Sequence, residues 1–159
     1  MREFMGLFRG KRIDNGEWIE GAYCKHDTVK VCFTTDDPKT KHLIVADGFC
    51  DWGFEPALVG HEVDPDTVGE CTGLRDKNGK LIFEGDILHI VSYTCDYDFK
   101  TSVGAKYGYK SGLYVDGDFD GGDFHEIGFA FDYWQDEDAE VEIIGNIHDN
   151  PELLRGGEQ

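Results

Sequence analysis

Residues 72–91, TGLRDKNGKLIFEGDILHIV, decide the fold that the sequence predicts. Asn78 and Gly79 stand between two strand-like segments, and an Asn-Gly pair favours a two-residue type I′ turn because both residues tolerate positive φ. After the turn, Leu81 and Phe83 fall on one face of a strand and Ile82 on the other. The stretch therefore predicts a β-hairpin.

Gly85 interrupts this strand pattern. Glycine inside such a pattern marks a bulge or a sharp bend. The residues that follow Asp86, ILHIV, are mostly apolar on both faces. A strand that bends at Gly85 and is then buried on both sides predicts a mainly β fold, a small curled or barrel-like sheet built from hairpins.

The composition agrees with strands rather than helices. The chain has 21 glycines and 13% aromatic residues among its 159, and no stretch of 11 or more residues repeats apolar side chains at helical spacing. A chain of this length forms one domain or two small lobes. We expect a single domain over residues 1–154, with possible lobes 1–63 and 69–154.

The charge is strongly negative. Thirty-three acidic residues against 15 basic ones give a net charge of −18, which repels nucleic acid and anionic membrane surfaces. Five scattered cysteines without a CxxC pair indicate reduced thiols, several of them packed as small apolar side chains. No segment has the pattern of a signal peptide or a membrane span. We therefore expect a soluble, cytoplasmic protein.

Turn and strand signals run along the rest of the chain. Asp14-Asn15-Gly16 predicts an opening hairpin. Asp64-Pro65 and Asn150-Pro151 predict short helical turns near residues 64–68 and 150–154, the second with its leucines on the core. Further strands are expected at residues 29–33, 42–46, 57–61, 113–115, 127–134 and 140–147. Residues 92–112 fit either a long strand pair or a mobile loop, and residues 155–159 a disordered tail.

Three blocks of sequence together resemble the YopX family: RGKRIDNGEWIEG near the start, VDPDTVGECTGLRDKNGKLIFEGDIL in the middle and EVEIIGNIHDNPELL near the end. The resemblance covers residues 1–154. It implies a mainly β protein encoded by a bacteriophage or prophage, with a tendency to self-associate, an unassigned biochemical role and no catalytic residues to carry over. The stretch of residues 92–112 and the loop of residues 116–123 depart from the usual pattern.

The acidic loop of residues 116–123 is the sharpest candidate for a metal site. Asp116, Asp118, Asp120 and Gly121 match the opening of a calcium loop, with carboxylates at alternate positions and glycine at the sixth. The twelfth position is Ile127 instead of a bidentate glutamate. A solvated acidic hairpin loop explains the same residues, and it is the favoured interpretation.

Other side chains that could carry chemistry show no supporting spacing. Cys24 and His26 could join remote partners in a zinc site, but nothing in the chain places those partners. His125 and Glu126 beside Asp123 imitate acid-base residues without a predicted pocket. We therefore expect no enzyme and no cofactor.

The aromatic clusters are predicted to be core. One consists of Phe49, Trp52 and Phe54, and the other of Phe129, Phe131, Tyr133 and Trp134. Their spacing is close to strand alternation, which favours burial, whereas a partly exposed subset would form a protein-binding patch.

The leading hypothesis is a non-enzymatic accessory protein of a phage or prophage that binds an unknown host or phage protein, or forms a homo-oligomer. Its partners are not expected to include nucleic acid or membrane. A first alternative is an acidic mimic of DNA that occupies the basic site of a host nucleic-acid-binding protein. A second is a calcium-binding module that uses the loop of residues 116–123.

Overall fold

The computed structural model describes residues 6–27, 39–48, 57–92, 97–106, 112–116, 124–136 and 138–154. The predicted mainly β fold is confirmed. Within the described residues lie one helix, α1 (Ile127–Asp136), two short 3₁₀ helices (Pro65–Thr67 and Pro151–Leu154) and eleven strands: β1 Leu7–Lys11, β2 Trp18–Asp27, β3 Thr40–Asp47, β4 Leu58–Glu62, β5 Gly69–Arg75, β6 Leu81–Phe83, β7 Asp86–Ser92, β8 Tyr97–Lys106, β9 Gly112–Asp116, β10 Phe124–Glu126 and β11 Glu140–Asn146.

The chain divides into two compact units, Met1–Glu70 and Cys71–Gln159. The division falls inside β5, so this strand carries the chain from the first unit into the second. The predicted single domain over residues 1–154 and its two lobes stay predictions.

The first unit contains an antiparallel sheet with the strand order β4-β3-β2-β1-β5. The predicted opening hairpin is confirmed, since β1 pairs with β2 along its whole length. Its turn closes where the Arg12 N–H donates to the Glu17 carbonyl at 2.9 Å, and Gly16 adopts a φ of +73°. Strands β3 and β4 confirm the predictions for residues 42–46 and 57–61, whereas residues 29–33 lie outside the described residues.

The first sheet curls at one corner. The Ile13 N–H donates to the Glu62 carbonyl at 3.0 Å, and the Asp64 N–H donates to the Lys11 carbonyl at 2.8 Å. The end of β4 therefore meets the end of β1, although the described strands do not close into a barrel. Val63 is buried beside Gly10, where an added Cβ atom would lie 3.2 Å from the valine side chain.

The first predicted helical turn is the 3₁₀ helix Pro65–Thr67. Asp64 caps it, because its carboxylate accepts a hydrogen bond from the Asp66 N–H at 3.1 Å, and proline is tolerated at the first helical position. The helical turn predicted near residues 64–68 is thus confirmed, with Asp64 before it and Pro65 at its first position.

The central hairpin is present, but its predicted turn type was wrong. Strands β5 and β6 pair in antiparallel fashion. Among the described residues near this turn only Gly79 has a positive φ, +80°, whereas a type I′ turn requires a positive φ at Asn78 as well. Asp76 and Lys80 close a three-residue loop by the Asp76 N–H to Lys80 carbonyl bond of 2.9 Å. The Asp76 side chain, which accepts hydrogen bonds within the loop, favours this longer turn.

The predicted break at Gly85 is confirmed. Gly85 has a φ of +84° and separates β6, which pairs with β5, from β7, which pairs with β8 and β11. Its N–H donates to the Val103 carbonyl at 2.8 Å and its carbonyl accepts from Ile147 at 2.9 Å. Strand β7 is then buried on both faces, as predicted.

The second unit contains an antiparallel sheet with the strand order β10-β9-β8-β7-β11. Within residues 92–112, which were expected to form either a long strand pair or a mobile loop, residues 97–106 form one strand, β8, which pairs with β7 and β9. Residues 93–96 and 107–111 lie outside the described residues. One face of this sheet packs with α1 around a buried cluster: Ile82, Leu88, Ile90, Val103, Val115, Ile127, Ala130, Phe131, Trp134 and Val141.

The strand predicted at residues 127–134 is wrong. The strand that returns along β9 is the short β10, and residues 127–136 form α1. Ile127, Ala130, Phe131 and Trp134 are buried, and they stand at the i, i+3, i+4, i+7 spacing of one helical face. The helix has only 10 residues, too few for an apolar repeat over 11 or more, and its aromatic content is typical of strands.

The closing helical turn is confirmed as the 3₁₀ helix Pro151–Leu154, in which the Leu153 N–H donates to the Asn150 carbonyl at 3.1 Å. Its leucines do not both reach the core as predicted. Leu153 is half-buried beside Gly145 of β11, but Leu154 is exposed. Residues 155–159 lie outside the described residues.

Candidate functional site

Two strands that end their sheets, β11 in the second unit and β4 in the first, differ in how their outer edges are treated. The outer edge of such a strand carries N–H and C=O groups that have no neighbouring strand, and these groups can pair with another chain. The two edges are described separately below, each within its own unit.

The edge of β11 is covered by the loop of the central hairpin. The Lys77 N–H donates to the Val141 carbonyl at 2.8 Å. The Asp76 carboxylate accepts a hydrogen bond from the Ile143 N–H at 3.3 Å. Outward backbone groups of β11 are therefore occupied within the unit, and this part of the strand does not offer them to another chain.

Asp76 is the residue that holds this loop in place. Its side chain is only 7% exposed and accepts hydrogen bonds of 2.9 Å from the backbone N–H groups of Asn78 and Lys80. Burial raises the pKa of the Asp76 carboxyl, but the hydrogen bonds from Lys80, Ile143 and Asn78 outweigh burial and hold the pKa below its ordinary value. The carboxylate is therefore a structural acceptor for the loop and for β11.

Lys77 places a positive charge beside the same edge of β11. Its ammonium group lies 2.9 Å from Glu142 and 3.1 Å from Glu140, both on β11. Hydrogen bonding to Glu142, and next to Glu140, holds the pKa of Lys77 above its ordinary value. All three side chains are more than one-third exposed, so these pairs contribute little stability and serve mainly to place charge along the edge.

The edge of β4 shows the opposite arrangement, which follows from its hydrogen-bond alternation with β3. The Val63 N–H donates to the His42 carbonyl at 2.9 Å and the Gly48 N–H to the Ala57 carbonyl at 2.7 Å. In an antiparallel pair such bonds recur at every second residue, so the intervening odd-numbered residues also face β3. The N–H and C=O groups of Leu58 and Gly60 therefore point outward.

These outward groups are accessible. Leu58 is 72% exposed, Val59 is 38% exposed, and Gly60 is also exposed. Among the described residues, β4 pairs with β3 alone over the stretch from Leu58 to His61. The accessible edge ends at Glu62, because its carbonyl already accepts the Ile13 N–H. Residues 57–61 are consequently a short open edge, and we call them the β4 edge.

The β4 edge carries none of the features that usually prevent edge pairing. Its sequence, ALVGH, has no lysine, arginine, aspartate, glutamate or proline in a chain of which 30% is charged. Exposed edges normally carry such residues because charge and proline oppose strand addition. The sequence predicted the strand but not this role. The signal that could have found it is an uncharged strand segment between charged neighbours.

Of the three predicted calcium-binding residues, only Asp116 lies within the described part of the chain. Asp116 ends β9, whereas Asp118 and Asp120 lie outside the described residues, so the calcium loop stays a prediction. Cys24 and His26 lie exposed on β2. No group of three or more histidine, cysteine, aspartate or glutamate side chains that could hold a metal ion occurs among the described residues.

The remaining candidates have mixed outcomes. His125 and Glu126 belong to β10, but Asp123 lies outside the described residues, so their acid-base role stays untested.

Of the cysteines, Cys71 is buried as predicted for a small apolar side chain, whereas Cys24 is exposed. The aromatic cluster of α1 is core at Phe131 and Trp134, with ring centroids 5.5 Å apart. The cluster at residues 49–54 lies outside the described residues.

A polar contact lies on the face of the first sheet. The Tyr23 hydroxyl is 2.6 Å from Nδ1 of His42, and their rings are stacked at 6.0 Å. Phe8 packs against Tyr23 at 5.5 Å. This contact satisfies two polar groups on a half-buried surface and needs no catalytic role to explain it.

The family model described as YopX protein matches residues 7–155, nearly the whole chain. Neither a curated protein nor a solved structure matches the chain. Within the described residues, no helix is both long and apolar enough to cross a membrane.

Proposed function

This chain belongs to the YopX family, and we propose that it is a non-enzymatic binding module that contacts other protein chains through the β4 edge. In this proposal it is an accessory protein of a phage or prophage that works in the cytoplasm of the bacterial host. The observation that carries the proposal is the accessible backbone of Leu58 and Gly60.

The physical basis is strand addition. An extended segment of a partner can align with an open sheet edge, where main-chain hydrogen bonds supply affinity and alternate side chains supply specificity. At the β4 edge, Leu58 and Val59 add exposed apolar surface next to the free backbone groups. A partner strand gains both kinds of contact at the same place.

Capture from a bacterial lysate tests the proposal with two matched variants. Leu58→Lys places a charge on the β4 edge, where it opposes strand addition. Ile13→Lys places the same charge at another exposed aliphatic residue of the first unit, 62% exposed and outside that edge. We expect the natural chain and Ile13→Lys to retain the same proteins and Leu58→Lys to lose them. Identical captures from all three chains would contradict the proposal, and so would no capture above background from a chain that is also monomeric.

The net charge of −18 supports a second candidate, a mimic of DNA that occupies a basic site on a host protein. A mimic must compete with duplex DNA, and its binding must weaken steeply as salt is added. A competition assay between the chain and a DNA duplex for a captured basic protein distinguishes the two candidates. Under the leading proposal, Leu58→Lys abolishes binding. Under the mimic proposal, this variant binds like the natural chain.

A further inference from the structure

We infer that the β4 edge pairs with the β4 edge of a second copy of this chain, in antiparallel fashion about a two-fold axis at Val59. The inference rests on the proposed function, since it names the partner of the same edge. It goes further by fixing the register of the pairing, which follows from three features of the edge.

The first feature is the set of free backbone groups. Among the described residues of this edge, Leu58 and Gly60 alone offer both groups outward, because the next outward carbonyl, that of Glu62, already accepts the Ile13 N–H. An antiparallel pairing that uses Leu58 and Gly60 of both copies must set Leu58 of one copy opposite Gly60 of the other. The two residues then exchange both hydrogen bonds, and the two-fold axis repeats the exchange. A register centred on Gly60 would instead require the occupied carbonyl of Glu62.

The second feature is the fit of side chains in this register. A Cβ atom added at Gly60 would meet one neighbour within 4 Å, Cδ1 of Leu43 at 3.8 Å. The space above Gly60 is therefore open and bordered by an apolar group. Leu58 of the second copy, 72% exposed in the single chain, fills that space against Leu43. Val59 meets Val59 of the second copy in a non-hydrogen-bonded pair, in which side chains lie closest.

The third feature is charge. The β4 edge contains no lysine, arginine, aspartate or glutamate, so two copies meet there without repulsion between such side chains, whereas the whole chain carries a net charge of −18. Added salt screens that long-range repulsion and must strengthen the pairing. Binding to a basic partner depends on salt in the opposite sense. Salt dependence therefore separates a second copy from a basic protein as the occupant.

The size of the edge sets the strength of the pairing. Two five-residue edges bury less than the roughly 1,200 Å² at which stable interfaces begin. The dimer is therefore weak and depends on concentration. Measurements must extend from about 10 μM to about 1 mM to detect it.

Analytical ultracentrifugation over that concentration range, at low and high salt, tests the pairing. The natural chain and Ile13→Lys should dimerise, and more strongly at high salt. Leu58→Lys should raise the dimer Kd at least about tenfold, because each copy then places a charge in the open space above Gly60 of the other copy, which is bordered by the apolar Leu43. A chain that stays monomeric up to the highest concentration, or a dimer unchanged by Leu58→Lys, would overturn the inference.

A cysteine scan tests the register independently. Val59→Cys places two thiols at a non-hydrogen-bonded pair with Cα atoms about 4.5 Å apart, within the range of a disulfide. His61→Cys places its thiol opposite Ala57 and about 13 Å along the strand from its equivalent. Under mild oxidation, Val59→Cys should form a homodimeric disulfide that mass spectrometry assigns to residue 59. The His61→Cys variant and the parent chain, which retains the exposed Cys24, should not form an equivalent link. Equal crosslinking of both variants would overturn the register.

The outcomes separate this inference from the proposed function. A monomeric chain that still captures lysate proteins in a Leu58-dependent way disproves the second copy and keeps the binding module. A dimer that Leu58→Lys disrupts, with no captured protein, supports the second copy as the partner of the edge. A monomeric chain that captures nothing disproves both.

Discussion

The strands β11 and β4 each end a sheet, but the outer edge of β11 is covered within the protein whereas that of β4 is accessible. In β11, backbone groups at the outer edge are occupied by Asp76 and Lys77 of a hairpin that lies more than 60 residues earlier in the sequence. In β4, the outward groups of Leu58 and Gly60 are exposed beside apolar side chains. This contrast between a covered edge and an accessible one is the basis of the binding role proposed for the β4 edge.

The largest effect is expected from removing the cover of β11. Asp76→Ala deletes a buried acceptor and leaves the N–H groups of Asn78, Lys80 and Ile143 without their carboxylate. We expect it to lower the free energy of unfolding by about 2–4 kcal/mol, because hydrogen bonds to a buried charged group are costly to lose. Chemical denaturation measures the change.

Asp64→Ala is the matched control for that variant. Asp64 also accepts a backbone N–H, but at an exposed cap, so its loss should cost about 1 kcal/mol or less. Equal losses for the two variants would show that Asp76 is not a buried anchor of the loop.

Gly145 of β11 and Gly60 of β4 can be compared directly by replacing each of them with valine. A Cβ at Gly145 of β11 would lie 2.7 Å from Oδ1 of Asn150 and 2.9 Å from Cδ1 of Leu153, whereas Gly60 of β4 is open. Gly145→Val should therefore lower the free energy of unfolding by about 1–3 kcal/mol through overpacking. Gly60→Val should leave stability unchanged within about 0.5 kcal/mol and still weaken the dimer, because its side chain fills the slot for Leu58. Thermal denaturation and ultracentrifugation check both; similar stability losses would remove the contrast.

The pH dependence of stability should report on the covered edge. The pKa of Asp76 is lower in the folded chain than its ordinary value, so its contribution is fully present above the unfolded pKa of about 3.9. The contribution is lost as the pH falls through the folded pKa. The stability difference between the natural chain and Asp76→Asn should stay constant near neutral pH and shrink below about pH 4. A difference that does not change in acid would contradict the assignment.

The smallest effect is expected at Lys77. Its ammonium group pairs with Glu140 and Glu142 at exposed positions, and exposed pairs contribute little stability. Lys77→Ala keeps the backbone N–H that binds Val141. We expect a melting temperature close to that of the natural chain at both low and high salt. A large loss would show that the side chain, and not the backbone, covers the edge.

Local signals in the sequence predicted much of the fold. Asp64-Pro65, Gly85 and Asn150-Pro151 each act through their own backbone preferences, and the elements that they begin or end are observed. The turn at Asn78 was mispredicted because the Asp76 side chain stabilises a longer loop. The helix α1 was missed although its buried residues have helical spacing, because its aromatic residues also favour strands.

The sequence alone could not predict the candidate site. Which strand ends a sheet depends on the pairing of distant segments, and the cover of β11 joins residues 67 apart, Asp76 and Ile143. The uncharged segment ALVGH was visible in the sequence. That this segment forms a sheet edge follows only from the strand order, which places β4 at the end of its sheet.

Amide hydrogen exchange at residues 57–61, followed by NMR as a function of protein concentration, tests the central claim most directly. In dilute solution at low salt, the amides of Leu58 and Gly60 should exchange rapidly, while those of Val59 and His61, which face β3, should be protected. At high concentration and high salt, Leu58 and Gly60 should become protected as well. Protection of Leu58 and Gly60 at every concentration, or rapid exchange at every concentration, would contradict an open edge that pairs with a second copy.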